Sequence, residues 1–315
     1  MENIQKIGLD FGRGYVKAYS EENNIEHVAV FKSVIGEGRD IDLSEYMNKE
    51  SEKPIYIEYK NENYFIGLLA EKESQVPVRN SRDSKTSHTV EVLFAAALSE
   101  IAVKDKVDVM LGVPYKNYRK SVLKEVIETY KGKTIKVKNK ISGSTKEVYI
   151  NNISILREGD AALIHAIGGK INEDKPVGLV SVGFRTTELS YFDKGFTFND
   201  KMSNTIEFGN RTLLTTVQDS LRNNDIMKDV NEIDTSNDYD DLKAKAYLLG
   251  SENLAQRIED IWINKSEMDI YVAGGTSINL EFDEEFKRVE DAQLATAKGL
   301  FEVAKIKILG GIKFG

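Results

Sequence analysis

Apolar and polar positions along the chain fall into two copies of one pattern. In Ile7-Gly8-Leu9-Asp10-Phe11-Gly12-Arg13-Gly14-Tyr15-Val16-Lys17-Ala18-Tyr19 the alternation predicts a strand, a tight glycine turn and a second strand. A polar turn at 21–24 and a third strand over 26–34 complete a meander. The polar stretch 36–53 reads as a surface loop, and 55–59 with 63–67, flanking Lys60-Asn61-Glu62, as a second hairpin. Residues 71–86 are polar, contain Pro77, and read as a loop. Helical spacing follows at 89–101, through Val90, Leu93, Phe94, Ala97 and Ile101, and again at 118–130. A short buried strand at 108–113 lies between them, and strands are expected at 134–138 and 148–155. A helix over 158–166 carries the small residues Ala161, Ala162 and Ala166.

After a polar, glycine-containing stretch at 169–174, the best candidate boundary, the pattern restarts. Residues 177–192 again give an apolar strand, a turn with glycine and small polar residues, and an outgoing strand. With Gly12 set against Gly183 the two hairpins align in register, and Asp10 then falls opposite Ser181. Residues 196–198 extend this second meander. A helix is expected at 210–222 and exposed loop at 223–241. A second helix at 242–263 is expected to break near Gly250-Ser251, with Ser251 capping the second piece. A strand at 269–273 runs into Gly274-Gly275-Thr276-Ser277, a helix is expected at 291–305, and 306–315 has no period. The chain therefore reads as a duplicated α/β design. Its GxG lies between two strands, unlike a Rossmann turn, and no GxxxxGK[ST] phosphate loop occurs.

Composition narrows the function classes. At 315 residues, 41% hydrophobic and 30% charged, the chain has enough apolar content for two sizeable cores. A net charge of −8 argues against broad contact with nucleic acid or anionic membrane. No cysteine is present, which removes disulfides, thiolate metal sites and cysteine nucleophiles and suits a reducing cytoplasm. The histidines, His27, His88 and His165, form no HExxH pattern, and no apolar run is long enough to span a bilayer.

Glycine hairpins suit phosphate chemistry because a missing Cβ lets backbone N–H groups approach an anion. Two such hairpins facing one another would clamp a polyphosphate. Asp10 would hold magnesium through water, and Lys17 would supply a cation. Gly183, Arg185, Thr186 and Thr187 offer donors on the second hairpin, and Gly274-Gly275 lets backbone lie against a base or an α-phosphate. Glu158, ahead of a helix, suits the task of orienting a water in line with the γ-phosphate. Taken singly, each feature has a bland reading as a turn, a solvated lysine, a helix-start acid or strand filler. Their order along the chain is what the bland readings do not produce.

That order resembles the actin-like ATPase superfamily over nearly the whole length. Asp10-Phe11-Gly12-Arg13-Gly14-Tyr15-Val16-Lys17 is similar to its first phosphate loop, and Glu158-Gly159-Asp160-Ala161-Ala162 to its first connecting segment. Ser181-Val182-Gly183-Phe184-Arg185-Thr186-Thr187 resembles the second phosphate loop, and Val272-Ala273-Gly274-Gly275-Thr276 the adenosine loop. Gln218 and Asp219 fall where the family contacts purine and ribose, and Asn279 completes the implied nucleotide-binding set. Within the superfamily the likeness is greatest to plasmid-segregation actins of the ParM type.

The resemblance implies two actin-like (ribonuclease-H-like) domains around a nucleotide cleft. Domain I is expected at 1–168 with a small β-rich insertion at 34–66, and domain II at 169–315 with a helical insertion at 205–265. It also implies a cytoplasmic ATPase that takes ATP, or GTP, with Mg2+. Such a protein polymerises with its own copies and moves plasmid DNA through a DNA-binding adaptor on the centromere, without direct nucleic-acid or membrane contact. Catalytic roles fall on Glu158 and Asp10. One departure matters: the family carries Asp where Ser181 stands, so the metal's surroundings lose an anion. Slow hydrolysis follows, unless Glu188 or Asp160 compensates. Two alternatives stay open: a metabolic kinase of the same superfamily, and a nucleotide-binding filament protein with very slow hydrolysis.

Overall fold

The computed structural model describes residues 3–47, 53–80, 84–168 and 173–309. Residues 169–172 of the expected boundary and 310–315 of the tail lie outside the described residues. The chain forms two compact units, Met1–Ala161 with Thr296–Gly315, and Ala162–Ala295.

The first unit contains β1 (Gln5–Phe11), β2 (Tyr15–Glu22), β3 (Ile25–Lys32), β4 (Val34–Glu37), α1 (Ser44–Met47), β5 (Ile55–Tyr59) and β6 (Glu62–Ile66). It continues through α2 (Leu68–Glu73), β7 (Val78–Arg79), α3 (His88–Ile101), β8 (Lys106–Val113), α4 (Lys120–Tyr130), β9 (Thr134–Asn139), β10 (Thr145–Arg157) and the start of α5 (Glu158–Ile167). Among the described residues, one mixed sheet runs β3-β2-β1-β8-β10-β9-β5-β6-β4-β7. The meander β3-β2-β1 is antiparallel, whereas β8 lies parallel to both β1 and β10.

The described strands of 34–66 join the same sheet. Tyr59 pairs with Val137, so β5 and β6 continue the central ladder through β9. The stretch 71–86, expected as loop, begins inside α2 and includes β7. Ser87 caps α3 by accepting the Val90 N–H, and residues 92–99 of that helix are buried on all sides. A helix buried all round gives a weaker amphipathic signal than a surface one, yet the helical spacing of its apolar residues still located it.

The second unit holds β11 (Val177–Val182), β12 (Thr187–Asp193), β13 (Thr197–Phe198), β14 (Asn204–Ile206), α6 (Asn210–Arg222), α7 (Val230–Thr235), α8 (Asp240–Ile261), β15 (Asp269–Ala273) and β16 (Phe286–Arg288). Its sheet runs β13-β12-β11-β15-β16, with β14 on β12. An antiparallel meander followed by two parallel neighbours repeats the β3-β2-β1-β8-β10 portion of the first sheet. The duplication expected from two hairpins thus extends to strand order. Trp262 fills this core, fully buried, and its indole N–H donates to the Met202 carbonyl at 2.9 Å.

Two expectations fail in this unit. The stretch 223–241 carries α7, whose Asp229–Glu232 capping box satisfies the exposed N–H groups that polar side chains seemed to mark as loop. Helix α8 runs unbroken through Gly250-Ser251. There the Ser251 hydroxyl donates to the Tyr247 carbonyl four residues back, rather than capping a new helix. Gly250 serves packing instead: a Cβ there would lie 2.3 Å from a Leu213 methyl.

The last helix, α9 (Ala295–Leu309), starts four residues later than expected and runs into the stretch that showed no period. It packs on the first unit through glycines. A Cβ on Gly299 would fall 1.7 Å from the Ala161 carbonyl oxygen, and one on Gly8 would fall 2.1 Å from that of Ala297. No helix among the described residues is long and apolar enough to cross a membrane.

Candidate functional site

In the first unit the site is built on the β1–β2 turn. The antiparallel register sets Asp10 opposite Lys17, and opposed residues present side chains on one face. The Lys17 ammonium donates to the Asp10 carboxylate at 2.9 Å, with Asp10 only 4% exposed. Gly12 is required by space: a Cβ would lie 2.8 Å from the Tyr15 carbonyl and 3.5 Å from the Lys17 ammonium. Arg13 and Tyr15 are half-buried beside it, and Gly14 is buried.

Ser33, which the sequence did not single out, fixes this turn. Its hydroxyl donates to the Gly12 carbonyl at 2.5 Å and its N–H to that of Gly14 at 2.9 Å. Its own carbonyl accepts the Asn80 N–H at 2.8 Å. The only sequence signal is position, since Ser33 stands where the alternation of the third strand ends.

Glu158 opens α5. Gly112 on β8 makes room for it, because a Cβ at Gly112 would come within 2.9 Å of the Glu158 Cγ. The carboxylate accepts a 3.4 Å hydrogen bond from Lys85, a buried lysine that the sequence left in a loop. Burial pushes the Glu158 carboxyl above the usual range. Lys85 pulls it back, Asp10 pushes it further up, and Lys17 opposes. Asp10, Lys17, Lys85 and Glu158 thus form one group of two acids and two cations, Asp10 and Lys85 buried, Lys17 and Glu158 half-buried. Asp160 is committed elsewhere, to Arg157 at 2.6 Å, and burial raises its carboxyl too.

In the second unit the hairpin is built the same way. The β11–β12 register sets Ser181 opposite Glu188, as β1–β2 sets Asp10 opposite Lys17. The acid has changed strands: it stands on the incoming strand of the first hairpin and on the outgoing strand of the second. Glu188 is 8% exposed. Gly183 closes the turn by donating its N–H to the Thr186 carbonyl at 2.9 Å, with Phe184, Arg185 and Thr186 half-buried around it.

Three elements converge on this turn. The Thr276 hydroxyl donates to the Gly183 carbonyl at 2.9 Å, and the Arg211 N–H at the start of α6 donates to that of Phe184 at 2.8 Å. Gly274, at φ 94°, lies against β11, where a Cβ would fall 2.3 Å from the Val182 oxygen. Gly183, Gly274, Gly275 and Thr276 therefore form one cluster.

Other expected residues are placed differently. The Thr187 hydroxyl is buried and donates to the Phe208 carbonyl at 2.9 Å. The Gln218 amide donates to the Lys228 carbonyl at 2.7 Å, and exposed Asp219 pairs with Arg222 at 3.2 Å. Asn279 is exposed and donates to the Tyr247 phenol, which in turn donates to Asn210 at 2.7 Å. Burial raises the Tyr247 phenol, and Asp234 adds to the shift.

Comparison with known proteins agrees with this architecture. A 15-stranded ParM filament from Clostridium botulinum has a subunit 21% identical, with a TM-score of 0.78 over 96% of this chain and 99% of that one. Ta0583, an archaeal actin homolog solved in complex with ADP, is 14% identical, with a TM-score of 0.76 over 96% and 99% of the two chains. ParM of Bacillus thuringiensis with ATP is 14% identical, with a TM-score of 0.71 over 98% and 100%. At such identity these likenesses establish the fold. A comparison with curated proteins gave no match. Residues 8–159 match the family described as actin like proteins N terminal domain. The chain has an actin-like fold, and its N-terminal part is similar to the actin-like family.

Proposed function

We propose that this protein binds ATP with Mg2+ through its two glycine hairpins and the Gly274 turn, hydrolyses it, and polymerises with its own copies. The observation that carries the reading is the repeated hairpin. In each unit a glycine turn joins two strands whose facing positions carry a buried acid, paired with Lys17 in the first and set opposite Ser181 in the second. In this reading the N–H groups at Gly12–Tyr15 and Phe184–Thr187 meet phosphate oxygens, and the Gly274–Thr276 turn with Asn279 lies along the nucleoside. Gln218 and Asp219 are weaker members, because their side chains already have partners.

The donor set fits magnesium of a particular kind. No group of three or more acidic or histidine side chains among the described residues could hold a metal directly. Magnesium keeps several waters and takes one or two carboxylates plus substrate phosphates. Asp10 spends one carboxylate oxygen on Lys17, and Glu188 is the nearest acid to Ser181 along the ladder. Asp10 would balance part of the ion's charge through water, and Glu158 would orient the attacking water.

By analogy with ParM the filament would serve plasmid segregation through a DNA-bound adaptor in the cytoplasm. Ser181 favours a second reading, in which the protein binds nucleotide and assembles but hydrolyses slowly. Sedimentation and phosphate release with Mg2+ and ATP or GTP test both. Sedimentable protein with nucleotide and measurable release supports the first; a pellet with negligible release supports the second. Phosphorylated sugar in the absence of any pellet would instead identify a kinase and refute both.

A further inference from the structure

We propose that Lys85 is a positioning residue for hydrolysis, holding the Glu158 carboxylate against the first hairpin so that it can orient the attacking water. The inference rests on the nucleotide-hydrolysing reading above and deepens it. Lys85 is 7% exposed, and its ammonium donates to two acceptors, the Glu158 carboxylate and the Phe11 carbonyl, each at 3.4 Å. Phe11 stands between Asp10 and Gly12, so one side chain links the α5 acid to the turn that would meet phosphate.

The lysine is itself held. The buried Tyr130 hydroxyl donates to the Lys85 carbonyl at 2.9 Å, the Thr86 hydroxyl donates to Glu125, and Ser87 caps α3 directly afterwards. Gly112 opens the space in which Glu158 meets it. Stability alone does not call for a charge at this position. A buried lysine whose contacts are long regains little of its desolvation cost, and an apolar side chain of similar length avoids that cost. The charged groups that act on Glu158 are Asp10 on β1, Lys17 on β2 and Lys85; on its own helix Asp160 is paired with Arg157 of the preceding strand. Without Lys85, Glu158 would face Asp10 with Lys17 as the single opposing cation. It would also lose the donor that fixes its orientation.

The test measures nucleotide affinity and phosphate release for Lys85→Met, Lys85→Arg, Glu158→Gln and the Lys85→Met/Glu158→Gln double variant. Lys85→Met is expected to keep nucleotide affinity and release phosphate at least about tenfold more slowly, within the 10²–10⁴-fold that a positioned acid or base supplies. Lys85→Arg should recover part of the rate. The double variant should be no slower than Glu158→Gln alone, because residues acting as a unit do not add. If Lys85→Met does not fold, Tyr130→Phe loosens the Lys85 segment without touching its ammonium. It should give a smaller loss that likewise vanishes in the Glu158→Gln background. Wild-type release by Lys85→Met, or by Tyr130→Phe where that variant stands in, overturns the inference and leaves the functional reading intact, as do losses that multiply in the corresponding double variant. A wild-type protein that binds no nucleotide overturns the functional reading, and this inference with it.

Discussion

The adjacent glycines Gly274 and Gly275 look alike in sequence, yet the structure predicts opposite responses to alanine. Gly274 sits at φ 94° and ψ 149°, a region essentially restricted to glycine, where a side chain costs about 1–3 kcal/mol. Its Cβ would also fall 2.3 Å from the oxygen and 2.7 Å from the nitrogen of Val182. Those are backbone atoms of a central strand, so the overlap can be relieved only by moving the turn away from β11, at a further cost of about 1–3 kcal/mol. Gly274→Ala should therefore lose about 2–6 kcal/mol. At Gly275 the nearest atom to an added Cβ is the Gln293 Cγ at 3.4 Å, ordinary contact with a flexible side chain. Gly275→Ala should stay within about 0.5 kcal/mol of wild type.

Trp262 makes the measurement specific. It is the single tryptophan, fully buried in the second unit, so its fluorescence during urea unfolding reports the unit that contains both glycines. With a slope of about 1–3 kcal/mol per molar urea, a 3 kcal/mol loss moves the midpoint down by about 1–3 M. Movement of the turn would also pull Thr276 from the Gly183 carbonyl, so nucleotide affinity should fall together with stability. Equal midpoints for the two variants, or a Gly274→Ala midpoint at the wild-type value, would refute the reasoning.

Glu158→Gln should bind nucleotide with near-wild-type affinity and release phosphate about 10²-fold more slowly or worse; unchanged release removes Glu158 from the chemistry. Because burial raises the Glu158 carboxyl, it takes up a proton as pH falls through a value above the ordinary 4.5. Wild-type release should therefore decline on the acid side starting above that value, and a profile without such a limb would count against the assignment. Asp10→Asn leaves the half-buried Lys17 ammonium without its anion, a change that costs at most about 3–5 kcal/mol, the figure for fully buried pairs. It should lower the melting temperature and weaken magnesium-dependent ATP binding, and unaltered affinity would speak against the clamp. Gly299→Leu should undock α9 from Ala161 and destabilise the first unit, read as a lower melting temperature in the absence of nucleotide. A variant as stable as wild type would show that the helix packs elsewhere.

Much of the fold was legible because burial enforces period. The β1–β2 and β11–β12 hairpins, α3, β8, α6 and β15 follow from their apolar positions: α6 presents one face to the core, and the largely buried strands and α3 carry dense apolar residues. Where local pattern and tertiary environment diverged, the reading failed. Polar α7 is held by a capping box and a single buried Ile233, too little apolar signal to stand out. The Gly250-Ser251 step looked like a helix end, but the glycine answers a steric need set by Leu213, from another helix. The pairing of Tyr59 with Val137 joins strands 78 residues apart, which no local window can see.

The site divides along the same line. Sequence alone determined the two glycine turns, their alignment in register, and the exchange of Asp10 for Ser181, because these are local and repeat within the chain. Tertiary structure decided what each side chain is engaged with. It turned the Thr187 hydroxyl inward, occupied Gln218 with Lys228, strapped the first turn through Ser33, and brought Lys85 to Glu158 across 73 positions of sequence. A hydrogen bond depends on two groups meeting in space, and a buried charge on every neighbour it meets. Neither is written in the spacing of residues along one strand.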